Sequence, residues 1–379
     1  MKKRMTMLVG GDTILGENPE LYFTGINSVL GSGDVVLAQL EVPYSDTAPE
    51  LDDLHRELKN LEPLKGRFDL VTMAGNHIYD AGETGVHDTL DWLDENGIPH
   101  AGAGRNLDEA VKPVIIEKDG VKLGFLNYNC VGIKAMNAGM KKAGAAYVDV
   151  ITHYELGDVA NPGGNPDRIY TFPELTSYER MIRDIEDLRE KCDVLSVYLH
   201  KGIVHKAVKI ADYEKFISRG AIDAGADIIF SSHSHILHGI EIYKGKTIFH
   251  GLNNLIAWVP SLGPNWRRTK GKATEVFDPE AWARARVERF GFVPNPEYPT
   301  YPFHPDSIYS IIAKCIIEDR KIVETRFIPL IVNKAGIPEA VKRSNGGDRV
   351  REYMDRITEL ANLNATFEWV DGEIAIREK

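Results

Sequence analysis

The sequence predicts a four-layer α/β sandwich, two mixed β-sheets flanked by helices. Three observations carry this expectation. Short apolar runs ending in turn or polar residues recur along the chain, amphipathic helical patterns lie between them, and two pairs of runs are joined by turns tight enough for hairpins. The buried-strand candidates are Thr6 to Gly10, Val35 to Leu40, Asp69 to Ala74, Val194 to Leu199 and Asp227 to Ser231. Apolar residues at helical spacing occur at Leu51, Leu54, Leu58 and Leu61, at Val86 through Leu93, at Met181, Ile182, Ile185 and Leu188, and at Phe216, Ile217 and Ala221. Alternation of this kind layers helices on sheets. Lys112 to Glu117 with Val121 to Tyr128, and Ile240 to Tyr243 with Thr247 to His250, read as antiparallel hairpins across Lys118-Asp119-Gly120 and Lys244-Gly245-Lys246.

Two stretches break the rhythm. Residues Asn129 to Pro173 are rich in Gly, Ala, Asn and Pro without sustained periodicity, and a segment that long inside a domain is expected to be an active-site loop. Residues 259–305 bring prolines, Trp266 and Trp282, and the bases Arg267, Arg268, Lys270, Lys272, Arg284, Arg286 and Arg289, which suggests an inserted cap. The expected organisation is therefore a core over 1–258, the cap over 259–305 as part of the same domain, and residues 306–379 completing the core. In that tail, strands are expected near Ile308 to Ile317, Lys321 to Val332, Thr366 to Val370 and Glu373 to Arg377, with a helix near Asp348 to Leu363.

Composition excludes several classes of function. Of 379 residues, 45 are Lys or Arg and 56 are Asp or Glu, a net charge of -11 that repels phosphate backbones and disfavours nucleic acid as a partner. Three scattered cysteines, Cys130, Cys192 and Cys315, form no CxxC pair and fit a reducing compartment. The apolar run after MKKR stops at Gly10-Gly11, too soon for a signal peptide, and no run of about 18 apolar residues occurs. A cytoplasmic location without a membrane partner is expected; the oligomeric state stays open.

The polar signals sit where predicted strands end: Asp12 after Gly10-Gly11, Glu41 after the second strand, Asn76-His77 after the third, His200 after the fourth, His233 and His235 after the fifth. Carboxyl ends of strands form the ligand crevice of an α/β sheet, so groups spread over two hundred residues are expected to converge. Each has an ordinary alternative as a turn residue or solvated strand end. Together they are the ligand set of one or two divalent cations, with Mn, Fe, Zn, Ca and Mg all admissible, and a carboxylate can bridge two ions.

The motifs GGDTILG from Gly10, LAQLEVP from Leu37, VTMAGNHIYDAGETG from Val71, YLHKG from Tyr198, ADIIFSSHSH from Ala226 and KGKTIFHGLNN from Lys244 resemble the calcineurin-like metallophosphoesterase superfamily. They are most similar to its CapA branch, associated with poly-γ-glutamate capsule biosynthesis, because the second motif offers Glu41 and Asp12 lacks a histidine two positions on. The resemblance implies metal ligation by Asp12, Glu41, Asn76, His200, His233 and His235. In that assignment Asp12 and His235 hold the first metal, Glu41 bridges, and Asn76, His200 and His233 complete the second. It places His77 over the substrate as general acid or electrostatic stabiliser, oriented by Asp80, and makes Asn253 a supporting candidate. The chain departs from the pattern at Ile14, where phosphoesterases place a histidine, at Lys201 and Val204, where the branch reads HWGxE, and at SSHSH in place of GHHPH.

Three functions remain: a metal-dependent hydrolase of an anionic ester or amide, an epimerase or a polyglutamate-processing protein on the same scaffold, and a binding protein. The basic cap and Lys201 favour an anionic small-molecule or peptide substrate. Epimerisation needs a base on each face of a Cα, for which His77 and Lys201 are the expected pair.

Overall fold

The computed structural model describes residues 4–49, 56–155, 168–263 and 278–379. Two mixed sheets pack face to face. In the larger, of ten strands, Arg4–Ile14 lies at the centre; Val35–Leu40, Leu70–Thr72 and His100–Ala101 follow in parallel on one side. On the other side Tyr309–Glu318, Lys321–Val332, Glu373–Glu378 and Ala365–Val370 run antiparallel. The tail from residue 309 is thus hydrogen-bonded into the same sheet as the first strand. The second sheet, of six strands, orders Ile240–Tyr243, Lys246–Phe249, Ile228–His233, Val194–Lys201, Val121–Asn129 and Val114–Lys118, with both expected hairpins at its edges.

Side-chain alternation along each strand decides which layer a residue joins. Met5, Met7 and Val9 meet Phe125, Tyr198 and Phe230 in the core between the sheets. The intervening Leu8 faces Val86, Leu90 and Leu93 of the helix Gly82–Glu95. Leu195, Val197 and Leu199 face Met181, Ile185 and Leu188 of the helix Leu175–Arg189, and Ile217 and Ala221 of the helix Asp212–Asp223. The order is helices, sheet, sheet, helices. A fourth helix, Gly347–Leu360, closes the intersheet core with Val350, Met354 and Ile357.

Three expectations change. Asn129 to Pro173 is not one irregular loop: Val150–Glu155 and Arg168–Pro173 pair as an antiparallel ribbon, seated on the start of the helix Asp212–Asp223 where the Asp212 carboxylate accepts from Thr171 N. Leu58 and Leu61 lie in a 3-10 helix, Leu58–Leu64, with Pro63 inside it; Leu51 and Leu54 lie outside the described residues. Of the cap, the described part holds a helix, Pro279–Phe290, none of whose residues is buried, capped by Asp278 accepting from Glu280 N and Ala281 N. Trp266, Arg267, Arg268, Lys270 and Lys272 lie outside the described residues. Among the described residues no helix is long and apolar enough to cross a membrane.

Candidate metal centre

Every residue read as a ligand stands at the carboxyl end of a parallel strand or in the turn after it. The first needs a device to get there. Along Arg4–Ile14, inward positions are Met5, Met7 and Val9, so simple alternation would turn Asp12 away from the second sheet. Val9 pairs with Leu37 but Asp12 pairs with Gln39, three residues against two. This bulge inserts one residue and re-aims Asp12 into the crevice. Gly11 is required there: a Cβ would stand 1.8 Å from the Asn253 carbonyl oxygen, which accepts from Asp12 N.

The Asp12 carboxylate accepts from Ser232 Oγ at 2.5 Å and from His233 N at 2.9 Å, linking the two sheets at the crevice floor. His233 and His235 both have positive φ, 112° and 50°, conformations that cost non-glycine residues energy and cluster where a site imposes them. Asp12, Glu41 and His235 bring ligand atoms within 4.8 Å of one another, and so do Glu41, His200 and His233. Glu41 belongs to both groups. Asn76 Oδ1 is 2.8 Å from His200 Nε2, which places it at the second group.

The donor set fits divalent cations. Neither Glu41 carboxylate oxygen has a hydrogen-bond partner among the described residues, nor do His200 Nδ1 and His233 Nδ1, although all are buried. Leaving a carboxylate buried with no donor is costly, and a cation removes the cost. Burial, followed by the charge of Glu41, raises Asp12 to about 8, and burial raises Glu41 to about 7 against the opposing charges of His77 and Arg56. Burial holds the His200 and His233 imidazoles well below their ordinary value, and lowers that of His235. Neutral imidazoles beside closely spaced carboxylates are donors that a divalent cation could take.

His77 stands at the rim, half-exposed, with Nδ1 2.8 Å from Asp80 Oδ2. Burial lowers its affinity for a proton, but the Asp80 hydrogen bond and the charge of Glu41 outweigh that and raise it. The ring is thereby oriented with Nε2 unengaged by Asp80.

Lys201 requires correction. It follows His200 on the same strand and so faces the opposite side, toward the helices, where it is fully buried. Its Nζ donates to Glu214 Oε2 at 3.2 Å and lies 3.1 Å from His250 Nδ1, whose Nε2 is 3.0 Å from Glu241. The ammonium does not reach the crevice. Lys201→Ala should therefore destabilise the fold by about 3–5 kcal/mol, by stranding the Glu214 charge. Denaturant unfolding measures this; unchanged stability with lost turnover would return Lys201 to the site.

Asn253, the supporting candidate, is turned away: its carboxamide donates to Ser307 and Tyr309 carbonyls at 2.7 Å, fastening the tail below the site. Its neighbour Asn254 takes the supporting role, with Oδ1 2.8 Å from His235 Nδ1. Two other residues at the site carried no sequence signal. Arg56 is buried, with Nη1 3.6 Å from Asp80 Oδ2. His205, at φ 60°, has its ring centroid 6.3 Å from that of His235 and is walled by Phe290, Phe292 and Phe303 of the 279–305 segment. The segment thus reaches the crevice edge through aromatic rings.

Over residues 6–258 the sequence matches the family described as bacterial capsule synthesis protein PGA_cap. It is 26% identical over 278 residues to the PGA biosynthesis protein CapA of Bacillus subtilis (strain 168), spanning 72% of this chain and 62% of that protein. It is 24% identical over 427 aligned positions to an uncharacterized protein of Sinorhizobium fredii, spanning 96% and 91%. The chain covers a little under two thirds of the length of its capsule-biosynthesis relatives. A crystal structure described as a novel phosphatase, from Mycoplasma pneumoniae, aligns with 12% identity and a TM-score of 0.45, over 87% of this chain and 95% of that one.

Proposed function

Because the chain belongs to the bacterial capsule synthesis protein PGA_cap family, we propose that its strand-end cluster is a divalent-metal centre hydrolysing an anionic ester or amide. The observation that carries this is Glu41: one buried carboxylate, without a hydrogen-bond donor among the described residues, shared by two three-ligand groups. Asp12, Glu41 and His235 would hold one ion; Glu41, His200, His233 and Asn76 would hold the other. Cations bound there supply Lewis acidity toward a phosphoryl or carbonyl oxygen and acidify water.

The chain's own residues do the rest. His77, held through Nδ1 by Asp80, keeps Nε2 free of that bond, and through it can protonate the leaving oxygen or nitrogen as its bond to phosphorus or carbon breaks. Asn254 fixes the His235 ring, and Ser232 with the His233 backbone fixes Asp12. The names of the capsule-biosynthesis relatives make a polyglutamate amide the first substrate to try. The epimerase alternative loses its second base, since Lys201 is sealed behind the strand. Cys130, Cys192 and Cys315 are all unpaired, which favours a cytoplasmic setting.

Incubation of the metal-loaded protein with poly-γ-glutamate and with phosphate esters in deuterated water separates the reaction classes. Cleavage without deuterium at Cα is the expected result. Exchange at Cα in uncleaved material would replace hydrolysis by epimerisation.

A further inference from the structure

We infer that Arg56 is the anion-reading residue of this centre, receiving an oxyanion of the substrate adjacent to the bond that breaks. The inference rests on the hydrolase reading above and adds to it which side chain selects the substrate and what chemistry it selects.

Arg56 is an unusual group to find where it is. It is nine-tenths buried, its Nη1 is fully shielded from solvent, and that nitrogen has no hydrogen-bond partner within ordinary geometry among the described residues. Among the described residues it pairs with Asp80, whose Oδ2 is 3.6 Å from Nη1, beyond hydrogen-bond distance, and already engaged by His77 Nδ1 at 2.8 Å. A buried guanidinium N–H left without an acceptor is costly, and a ligand oxygen at the site would remove that cost. The backbone around it is anchored, with Ser45 N donating to the Arg56 carbonyl at 3.0 Å.

Arg56 shares Asp80 with His77, the rim imidazole, and its positive charge is felt at Glu41, the carboxylate common to both ligand groups. Through Asp80 it stands one side chain away from the proton donor. Nη1 is shielded in this structure, so a substrate whose scissile centre lies near His77 offers it an oxygen only by displacing what covers the guanidinium. Guanidinium forks match two classes of oxyanion, phosphoryl and carboxylate, and both fit a charge-assisted N–H bond at this place. Lys would deliver charge without the directed N–H pair.

The two sources are told apart by titrating the metal-loaded protein with inorganic phosphate and, separately, with glutarate, by calorimetry. Wild type should bind at least one, and the tighter of the two names the class. Arg56→Gln should weaken that anion at least tenfold and Arg56→Lys by less, with circular dichroism and metal content matching wild type. If Arg56 serves only to hold Asp80, both variants would lower kcat through His77 and leave the anion's Kd unchanged, which overturns the inference. Loss of metal or of fold in both variants, or a wild type that binds neither anion, overturns it as well. Failure of the hydrolase reading has a different signature: anion binding that depends on Arg56, with no cleavage of any substrate.

Discussion

Glu41→Gln should strip the protein of most of its metal and all but a trace of its activity. The substitution is nearly isosteric, so the fold is expected to survive, but it removes the one negative charge that both ligand groups share. Perturbing even the residues that support a metal ligand costs about 10–100-fold in affinity, and replacing a ligand belonging to two sites should exceed the upper end of that range. Metal content after equilibration in a fixed free concentration of Mn or Zn measures it. The thermal midpoint gives an independent readout: a cation that stabilises wild type by about 2.7 kcal/mol at a hundred times its Kd should shift the midpoint of the Glu41→Gln variant far less. A variant with full metal content would mean that Glu41 is not the bridge.

His77→Ala should separate rate from metal. His77 adjoins Asn76 in sequence but belongs to neither three-ligand group, and its imidazole is tied to Asp80 at the rim. Loss of a positioned proton donor costs on the order of a hundredfold to ten-thousandfold in rate. Metal stoichiometry should stay within error of wild type. Substrates with good leaving groups need no protonation and should lose least. Equal loss of metal and rate would make His77 a ligand; full retention of rate would remove it from the chemistry.

Much of the site was legible because its residue types recur at one structural address, the carboxyl end of a strand. Short buried strands announce themselves by apolar runs, and Asp12, Glu41, Asn76, His200, His233 and His235 follow those runs directly. What could not be read was side-chain direction. Lys201 and His200 are adjacent, and strand alternation alone sends one into the crevice and the other onto Glu214, so parity and not proximity decides. Asp12 reaches the crevice for the opposite reason, because a bulge breaks parity, and only the pair Gly10-Gly11 hinted at it. Arg56 was invisible for a third reason: Asp80, the charge it faces, is 24 residues away, across a 3-10 helix and a strand, and a lone arginine in an acidic stretch has no pattern. The ribbon Val150–Glu155 with Arg168–Pro173 escaped notice because its strands expose most of their residues, so no buried face imposes an apolar period.

On the proposed function, six side chains from five strand ends hold the metal, and protein purified without chelator should carry it into metal analysis. One to two divalent ions per chain are expected, falling in His233→Ala and unchanged in His77→Ala. Zero bound metal after full reconstitution, with the fold intact, would contradict the account.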